Sequence, residues 1–167
     1  SPTQLIPTSG DFTINFWARF ETSASNNLIA QWSSGSASNR LLLYTSSSSF
    51  ITLQREASVV VTTNPGTVTT GVWYMITVTR SGNNYELFVD AASEDTGTNS
   101  GNIEAVNTVI GRQGGVSAYS DMVMDELSFW SRALNGTEIT ELYNSGSGNN
   151  PYASSSSKSV LFTGSGL

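Results

Sequence analysis

The strongest constraint on the fold is a regular alternation of apolar and other residues between positions 12 and 20. Every second residue from Phe12 to Phe20 is apolar, and most of the residues between them are polar. Successive side chains of a β-strand point to opposite faces of its sheet. The pattern therefore predicts a strand with one face against a core.

Similar short segments recur along the chain, separated by turn-forming Ser, Gly, Asn and Pro residues. The best hairpin signal is the link 81–84 between two strongly patterned segments. Many short strands at regular spacing predict an all-β sandwich or barrel. Besides 12–20, the predicted strands are 28–32, 40–45, 50–55, 59–63, 73–80, 85–90, 106–111, 122–130 and 159–163.

One segment near the C-terminal end has the pattern of a helix. Its apolar residues follow helical spacing from Leu134 to Tyr143. Asn135 can accept a hydrogen bond from a first-turn amide, and Glu138 can reach back to the cap, as in a capping box. We predict one short helix over 136–143, followed by a Ser, Gly and Asn-rich loop over 144–158.

The composition excludes several classes of function. The 167 residues suit a single domain, 1–167. A net charge of -6 with few, unclustered basic residues argues against nucleic acid as a partner. With no Cys and no His, the chain lacks the ligands of soft metals and any His-dependent nucleophile. No apolar run approaches the about 18 residues of a membrane span. Because the chain begins at Ser1 and ends in a loop-like segment, we expect it to be a piece of a longer protein.

The order of these segments resembles the laminin G-like jelly rolls of the concanavalin A-like lectin and glucanase group. The resemblance spans about residues 10–145 and ends in the strand with Asp125 and Glu126, followed by the capped helix. Two departures are a Tyr74-Met75 pair where the family often has His, and Asp90-Ala91 where it often has Asp-Gly. From the second departure we expect a different turn at that point. The matching segments are 11–19, 28–32, 71–79, 86–90, 109–112 and 124–143.

The resemblance implies a two-sheet antiparallel jelly-roll sandwich with one short helix near the C-terminal end. It also implies work in binding, adhesion or assembly, with calcium at a loop rim in many members. Function does not follow from fold, so each property must be sought in residues. The implied core residues are Phe12, Ile14, Phe16, Ile76, Val78, Leu87, Val89, Leu127 and Phe129.

The carboxylates do not predict an enzyme. Glycosidases of this group resemble one another in a Glu-x-Asp-x-Glu run, which is absent from this sequence. Pairs four residues apart on one strand, such as Asp121 and Asp125, would be about 13 Å apart, beyond the about 5 to 9.5 Å used in glycoside hydrolysis. Adjacent residues such as Asp125 and Glu126 should point to opposite faces.

Calcium is the one metal that the composition allows, because it takes oxygen ligands. The metal ligands that we predict are Asp121 and Asp125, and Asp11 and Glu126 are further candidates. In the alternative interpretation, Asp125 accepts backbone amides and Glu126 pairs with Arg19 on the outward face.

A carbohydrate site needs flat apolar faces beside fixed polar groups. Aromatic residues at strand ends and in the polar loop 112–121 predict such a site at one rim of the sandwich. Alternatively, Trp17, Phe88 and Trp130 make an outward sheet face the platform. In a further interpretation, Trp17, Trp73 and Trp130 cap the core edge or lie under a loop. The predicted rim residues are Trp32, Tyr44, Arg112, Tyr119 and Asp121.

Together these observations predict a non-catalytic extracellular binding module, specific for carbohydrate and part of a larger protein. The alternative is a structural component of a virion, such as a decoration, tail or fibre protein, or a repeat of a bacterial adhesin. The predicted partner is accordingly a glycan or a neighbouring structural protein, at a cell surface or virion surface. Neither nucleic acid binding nor membrane insertion is expected.

Overall fold

The computed structural model of the protein describes residues 4–31, 39–46, 50–112 and 119–148. Within them two five-stranded antiparallel sheets form a jelly-roll sandwich, which confirms the predicted fold class. The predicted strand 159–163 and most of the loop 144–158 lie outside the described residues. The strands are β1 (Phe12–Phe20), β2 (Asn26–Gln31), β3 (Leu41–Thr45), β4 (Ile51–Arg55), β5 (Ser58–Thr62), β6 (Trp73–Ser81), β7 (Asn84–Val89), β8 (Ala92–Thr98), β9 (Thr108–Ile110) and β10 (Met122–Trp130).

The first sheet has the order β10-β1-β6-β7-β8, and the second has the order β5-β4-β3-β2-β9. Seven of the nine predicted core residues are buried between the sheets. Leu127 and Phe129 pack against this core but are only partly buried, which corrects their assignment to the interior. The physical reason is that β10 lies at the edge of the first sheet as the described residues form it, where β1 is its one neighbouring strand.

A β-bulge interrupts β10 opposite β1. The register shifts between Asn15 and Trp17, and Glu126 has a left-handed φ of 50°. Met124 before the bulge and Leu127 after it both pack against the core. In a regular strand, residues three positions apart would point to opposite faces. One extra residue therefore changes which positions face inward.

The short turn between β7 and β8 consists of Asp90 and Ala91, both with positive φ, 52° and 64°. Two left-handed residues are what a type I′ hairpin turn requires, and Asp-Gly pairs favour the same turn. The turn here is thus a tight hairpin turn, and its difference from the family's turn stays a prediction. The Asp90 side chain accepts a hydrogen bond from the Met75 amide at 2.8 Å, and Ala91 packs beside the helix, so both residues hold the turn in place.

Helix α1 (Gly136–Tyr143) lies on the outer face of the first sheet, at the predicted position. Asn135 and Glu138 form the predicted capping box. An isolated helix of this length is not stable in water, so tertiary packing must hold it. Ile139 is fully buried and Leu134 nearly so, in a cluster with Met75 and Phe88. A 3-10 turn over Asn144–Gly146 then leads the chain back across the sheet.

Candidate functional site

The structure brings together part of the predicted rim site. Arg112 and Tyr119 face each other in an isolated antiparallel β-bridge, and the Ser120 amide donates to the Gly111 carbonyl at 2.9 Å. Tyr119 is 74% exposed, as expected for a residue that is not part of the hydrophobic core. Residues 113–118 at the tip of this loop, and Trp32, lie outside the described residues.

Two further rim residues lie beside the base of this loop. Tyr44 is half-buried in β3 and pairs with Asn27, whose carbonyl accepts a 2.6 Å hydrogen bond from the Ser120 hydroxyl. Asp121 is exposed, and its amide donates to Asn26 Oδ1 at 2.9 Å. The base of the loop is therefore anchored to β2.

The predicted calcium ligands do not form a cluster in the described part of the chain. Asp125 Oδ1 accepts the amide of Glu126 at 2.8 Å, and Asp11 Oδ1 accepts the amide of Gly82 at 2.8 Å. Among the described residues no three acidic side chains come together. Because calcium takes six to eight oxygen ligands, an ion at Asp121 or Asp125 would depend mainly on backbone carbonyls and water. Calcium at these residues stays a prediction.

A better-formed site lies on the outer face of the first sheet, where α1 stops covering it. Two adjacent cross-strand rows of β10, β1 and β6 lie beneath it, and the members of these rows that line it are Trp17, Trp73 and Asp125. The 3-10 turn and the residues after it form the wall. We call this the tryptophan cleft; its volume is about 200 Å³. The rows are Val123-Arg19-Trp73 and Asp125-Trp17-Met75. The lining residues are Trp17, Trp73, Asp125, Glu126, Gly146, Ser147 and Gly148.

The two tryptophans are held differently. Trp17 is partly buried, because the ring of Tyr143 stacks on it with centroids 5.8 Å apart and an interplanar angle of 16°. Trp73 is 37% exposed at the start of β6, and the Arg19 guanidinium lies 5.6 Å from its ring centre. Tyr143 at the end of α1 fixes the Trp17 indole, whereas the Trp73 indole remains open to solvent and to a ligand.

The bulge in β10 supplies the acidic groups of the cleft. Asp125 and Glu126 both line it, so the expectation that they point to opposite faces was wrong. A side chain at position 148 would be strained, because Gly148 has a φ of 66° and a Cβ there would press on the Glu126 carboxylate, 3.0 Å from Oε2. Glycine therefore lets the backbone approach the carboxylate closely.

No basic side chain neutralises these carboxylates within the described residues. Arg19 does not pair with Glu126, as one interpretation of the sequence had it, but with Glu21, at 2.8 Å between Nε and Oε1. The second ion pair of the described residues joins Arg132 to Glu138 on α1. The cleft thus presents the exposed indole of Trp73, with Arg19 over its ring, beside two carboxylates that form no ion pair among the described residues.

Sequence reasoning found only part of this site. Trp17 and Trp130 lie beside α1 in its apolar cluster, so the segment next to them is a helix and not the loop that one interpretation expected. Trp73 and the glycines at 146 and 148 were not identified as site residues. The signal that could have found them is the Gly-Ser-Gly run directly after the predicted helix, where close backbone approach is possible.

Comparison with known proteins supports the fold. A family model described as the concanavalin A-like lectin/glucanases superfamily matches residues 1–140. No curated protein matches the chain in sequence. The described helices include none long and apolar enough to cross a membrane.

Solved structures with this fold come from several kinds of protein. A heptameric SAP-like pentraxin from Limulus polyphemus superposes with a TM-score of 0.65 at 19% identity, covering 89% of this chain and 76% of the pentraxin. A Trypanosoma rangeli sialidase superposes with a TM-score of 0.66 at 18% identity, covering 83% of this chain but 23% of the sialidase. The binding domain of botulinum neurotoxin serotype G gives a TM-score of 0.58 at 16% identity, covering 84% of this chain and 37% of that one. The chain thus spans a minor part of the latter two, and identities this low show the fold alone.

Proposed function

Because the chain belongs to the concanavalin A-like lectin/glucanases superfamily, we propose that it is a non-catalytic carbohydrate-binding module of an extracellular protein. We place the ligand in the tryptophan cleft. The observation that carries this proposal is the exposed indole of Trp73 beside the carboxylates of Asp125 and Glu126. Carboxylate oxygens accept hydrogen bonds from sugar hydroxyls, and an indole offers an apolar face to the sugar ring.

The cleft suits binding better than hydrolysis. Glycosidases place two carboxyl groups on either side of the bond that they cleave. Asp125 and Glu126 instead follow each other in one bulge, and Asp125 is engaged with the next backbone amide. A binding role also agrees with the neurotoxin relative, whose matching structure is itself called a binding domain.

The proposal is tested on a glycan array with the wild-type domain and two single variants, Trp73→Ala and Tyr119→Ala. Both remove an exposed aromatic side chain, one in the cleft and one at the predicted rim. We expect Trp73→Ala to weaken binding at least about tenfold, or about 1.4 kcal/mol, and Tyr119→Ala to leave it unchanged. Circular dichroism of each variant controls for folding.

If Tyr119→Ala weakened binding and Trp73→Ala left it unchanged, the ligand site would instead be the rim formed by Tyr44, Arg112, Tyr119 and Asp121. Running the array with calcium and with a chelator tests the proposed metal at the same time. If the wild-type domain retains no glycan under either condition, the carbohydrate proposal is wrong.

One observation favours assembly as a second candidate function. Ile110 and Val123 are 44% and 41% exposed on the edge strands β9 and β10. Apolar side chains on unpaired edges favour association with another chain. A structural repeat of a virion or adhesin would use this edge, and the Limulus pentraxin is itself a heptamer. Light scattering after size exclusion would show concentration-dependent oligomers that Val123→Glu abolishes.

A further inference from the structure

The charge of the tryptophan cleft limits the ligands that it can hold. Asp125 and Glu126 lie side by side in it, and the Glu126 carboxylate forms neither a hydrogen bond nor an ion pair with any side chain of the described residues. Arg19 is engaged by Glu21, and Arg132 by Glu138 of α1. Two carboxylates without an ion-pair partner in the described part of the chain favour a ligand that brings a positive charge.

The aromatic half of the cleft selects among cations. A hard metal ion takes oxygen ligands and gains little from an indole face. An organic ammonium group is attracted by the face of tryptophan, the best aromatic partner for a cation, and also donates hydrogen bonds to carboxylates. Trp73 is the exposed indole of the space that Asp125 and Glu126 also line, since Tyr143 stacks on Trp17, and Arg19 lies over the Trp73 ring without pairing with either carboxylate; one ligand can therefore reach Trp73 and the carboxylates together.

The size of the cleft limits the ligand further. A volume of about 200 Å³ is below the range of about 300 to 1,000 Å³ usual for drug-sized ligands. It suits one sugar residue rather than a long chain. Trp73 and Val123 belong to one cross-strand row and are both exposed, so neighbouring sugars of an oligomer can extend over this part of the sheet face.

Resting on the proposed carbohydrate-binding function, we propose that the tryptophan cleft recognises a saccharide with a free amino group. The ammonium lies between the carboxylates of Asp125 and Glu126, and the sugar ring packs against Trp73. Acetylation of the amine removes both the charge and the charge-assisted hydrogen bonds. An N-acetylated sugar of the same length therefore binds more weakly.

The test compares a glucosamine oligomer with its N-acetylated counterpart of equal length by isothermal titration calorimetry. The buffer is mildly acidic, so that the sugar amines are protonated, and contains a chelator. The variants are Glu126→Gln, which keeps the shape of the side chain, and Glu94→Gln, which removes the same charge from β8 at the opposite edge of the sheet. Thermal melts confirm that both variants fold.

We expect the wild-type domain to prefer the amine about tenfold or more, and Glu126→Gln to abolish that preference. Glu94→Gln should retain it, which separates local recognition from the general attraction of a domain with a net charge of -6. Equal binding of the two oligomers, or a preference that survives in Glu126→Gln, overturns the inference and leaves the carbohydrate proposal standing. If neither oligomer binds and the glycan array retains no glycan, both this inference and the proposed carbohydrate-binding function are wrong.

Discussion

Replacing Gly97 by Ala should strain the sandwich along the edge where the two sheets meet. A Cβ at position 97 would overlap the carbonyl oxygen of Val60, which belongs to β5 in the other sheet. The clash is with backbone, so no side-chain rotation relieves it. A hydrogen bond of 2.9 Å from the Thr62 amide to Asp95 Oδ2 ties β5 to β8 at the same place. The added methyl group therefore pushes apart strands that this bond holds together.

A matched substitution isolates the size of this effect. Gly136 opens α1, and a Cβ added there would meet nothing within 4 Å. Both Gly→Ala changes restrict the unfolded chain equally, which stabilises by about 0.4 to 1 kcal/mol. Only Gly97→Ala adds overpacking, which costs about 1 to 3 kcal/mol. The two variants should therefore differ by about 1 to 3 kcal/mol in the free energy of unfolding, with Gly136→Ala the more stable.

Urea denaturation followed by tryptophan fluorescence measures this difference, because both variants have the same probes. Equal slopes of the free energy against urea would show that the unfolded states are comparable. If Gly97→Ala proved as stable as Gly136→Ala, β5 and β8 would not approach each other as closely as this geometry requires.

Three further outcomes are expected. Phe16→Ala should lower the free energy of unfolding by about 3 to 5 kcal/mol, because Phe16 is fully buried. Leu127→Ala should lower it less, because Leu127 is partly exposed on an edge strand. Equal losses in chemical denaturation would contradict this packing. Hydrogen bonds from Arg132 and the Asn135 amide lower the pKa of Glu138 from 4.5 to about 2. The wild-type domain should therefore melt at a higher temperature than Glu138→Gln above pH 4.5. This difference in melting temperature should disappear as the pH falls toward 2. An advantage that does not change with pH would exclude the ion pair as its source. A chelator should lower the melting temperature and leave the domain folded, since calcium at a hundred times its dissociation constant stabilises by about 2.7 kcal/mol, and an unchanged melt would count against a calcium site.

Local patterns were enough to predict most of the fold. The alternation in β1 and β6 predicted their buried faces, and the capping pair of Asn135 and Glu138 predicted the helix bounds. Strand β8 was missed because Ala92–Thr98 carries no alternation of apolar residues and serves as an exposed edge. The complete burial of Arg55 was also not expected; its guanidinium donates to Tyr85 Oη at 2.7 Å and to the Asn102 carbonyl at 2.7 Å, partners that are distant in sequence.

The candidate site was harder to predict, because it depends on one irregularity. Strict alternation places Asp125 and Glu126 on opposite faces, and only the bulge brings both into the cleft. Sequence patterns do not indicate where a bulge will form opposite a neighbouring strand. Nor do they show that the chain after α1 returns over Trp17, since that path depends on how the helix docks.

The indole N–H signals of the four tryptophans offer the most direct test of the tryptophan cleft as the ligand site. In a two-dimensional ¹H–¹⁵N NMR titration with a saccharide retained on the array, the signals of Trp17 and Trp73 should shift with the same dissociation constant. Trp130, which lies on the same sheet face but packs beside α1, should stay in place. Shifts confined to Trp32, with Trp17 and Trp73 unmoved, would contradict the cleft and place the ligand at the rim.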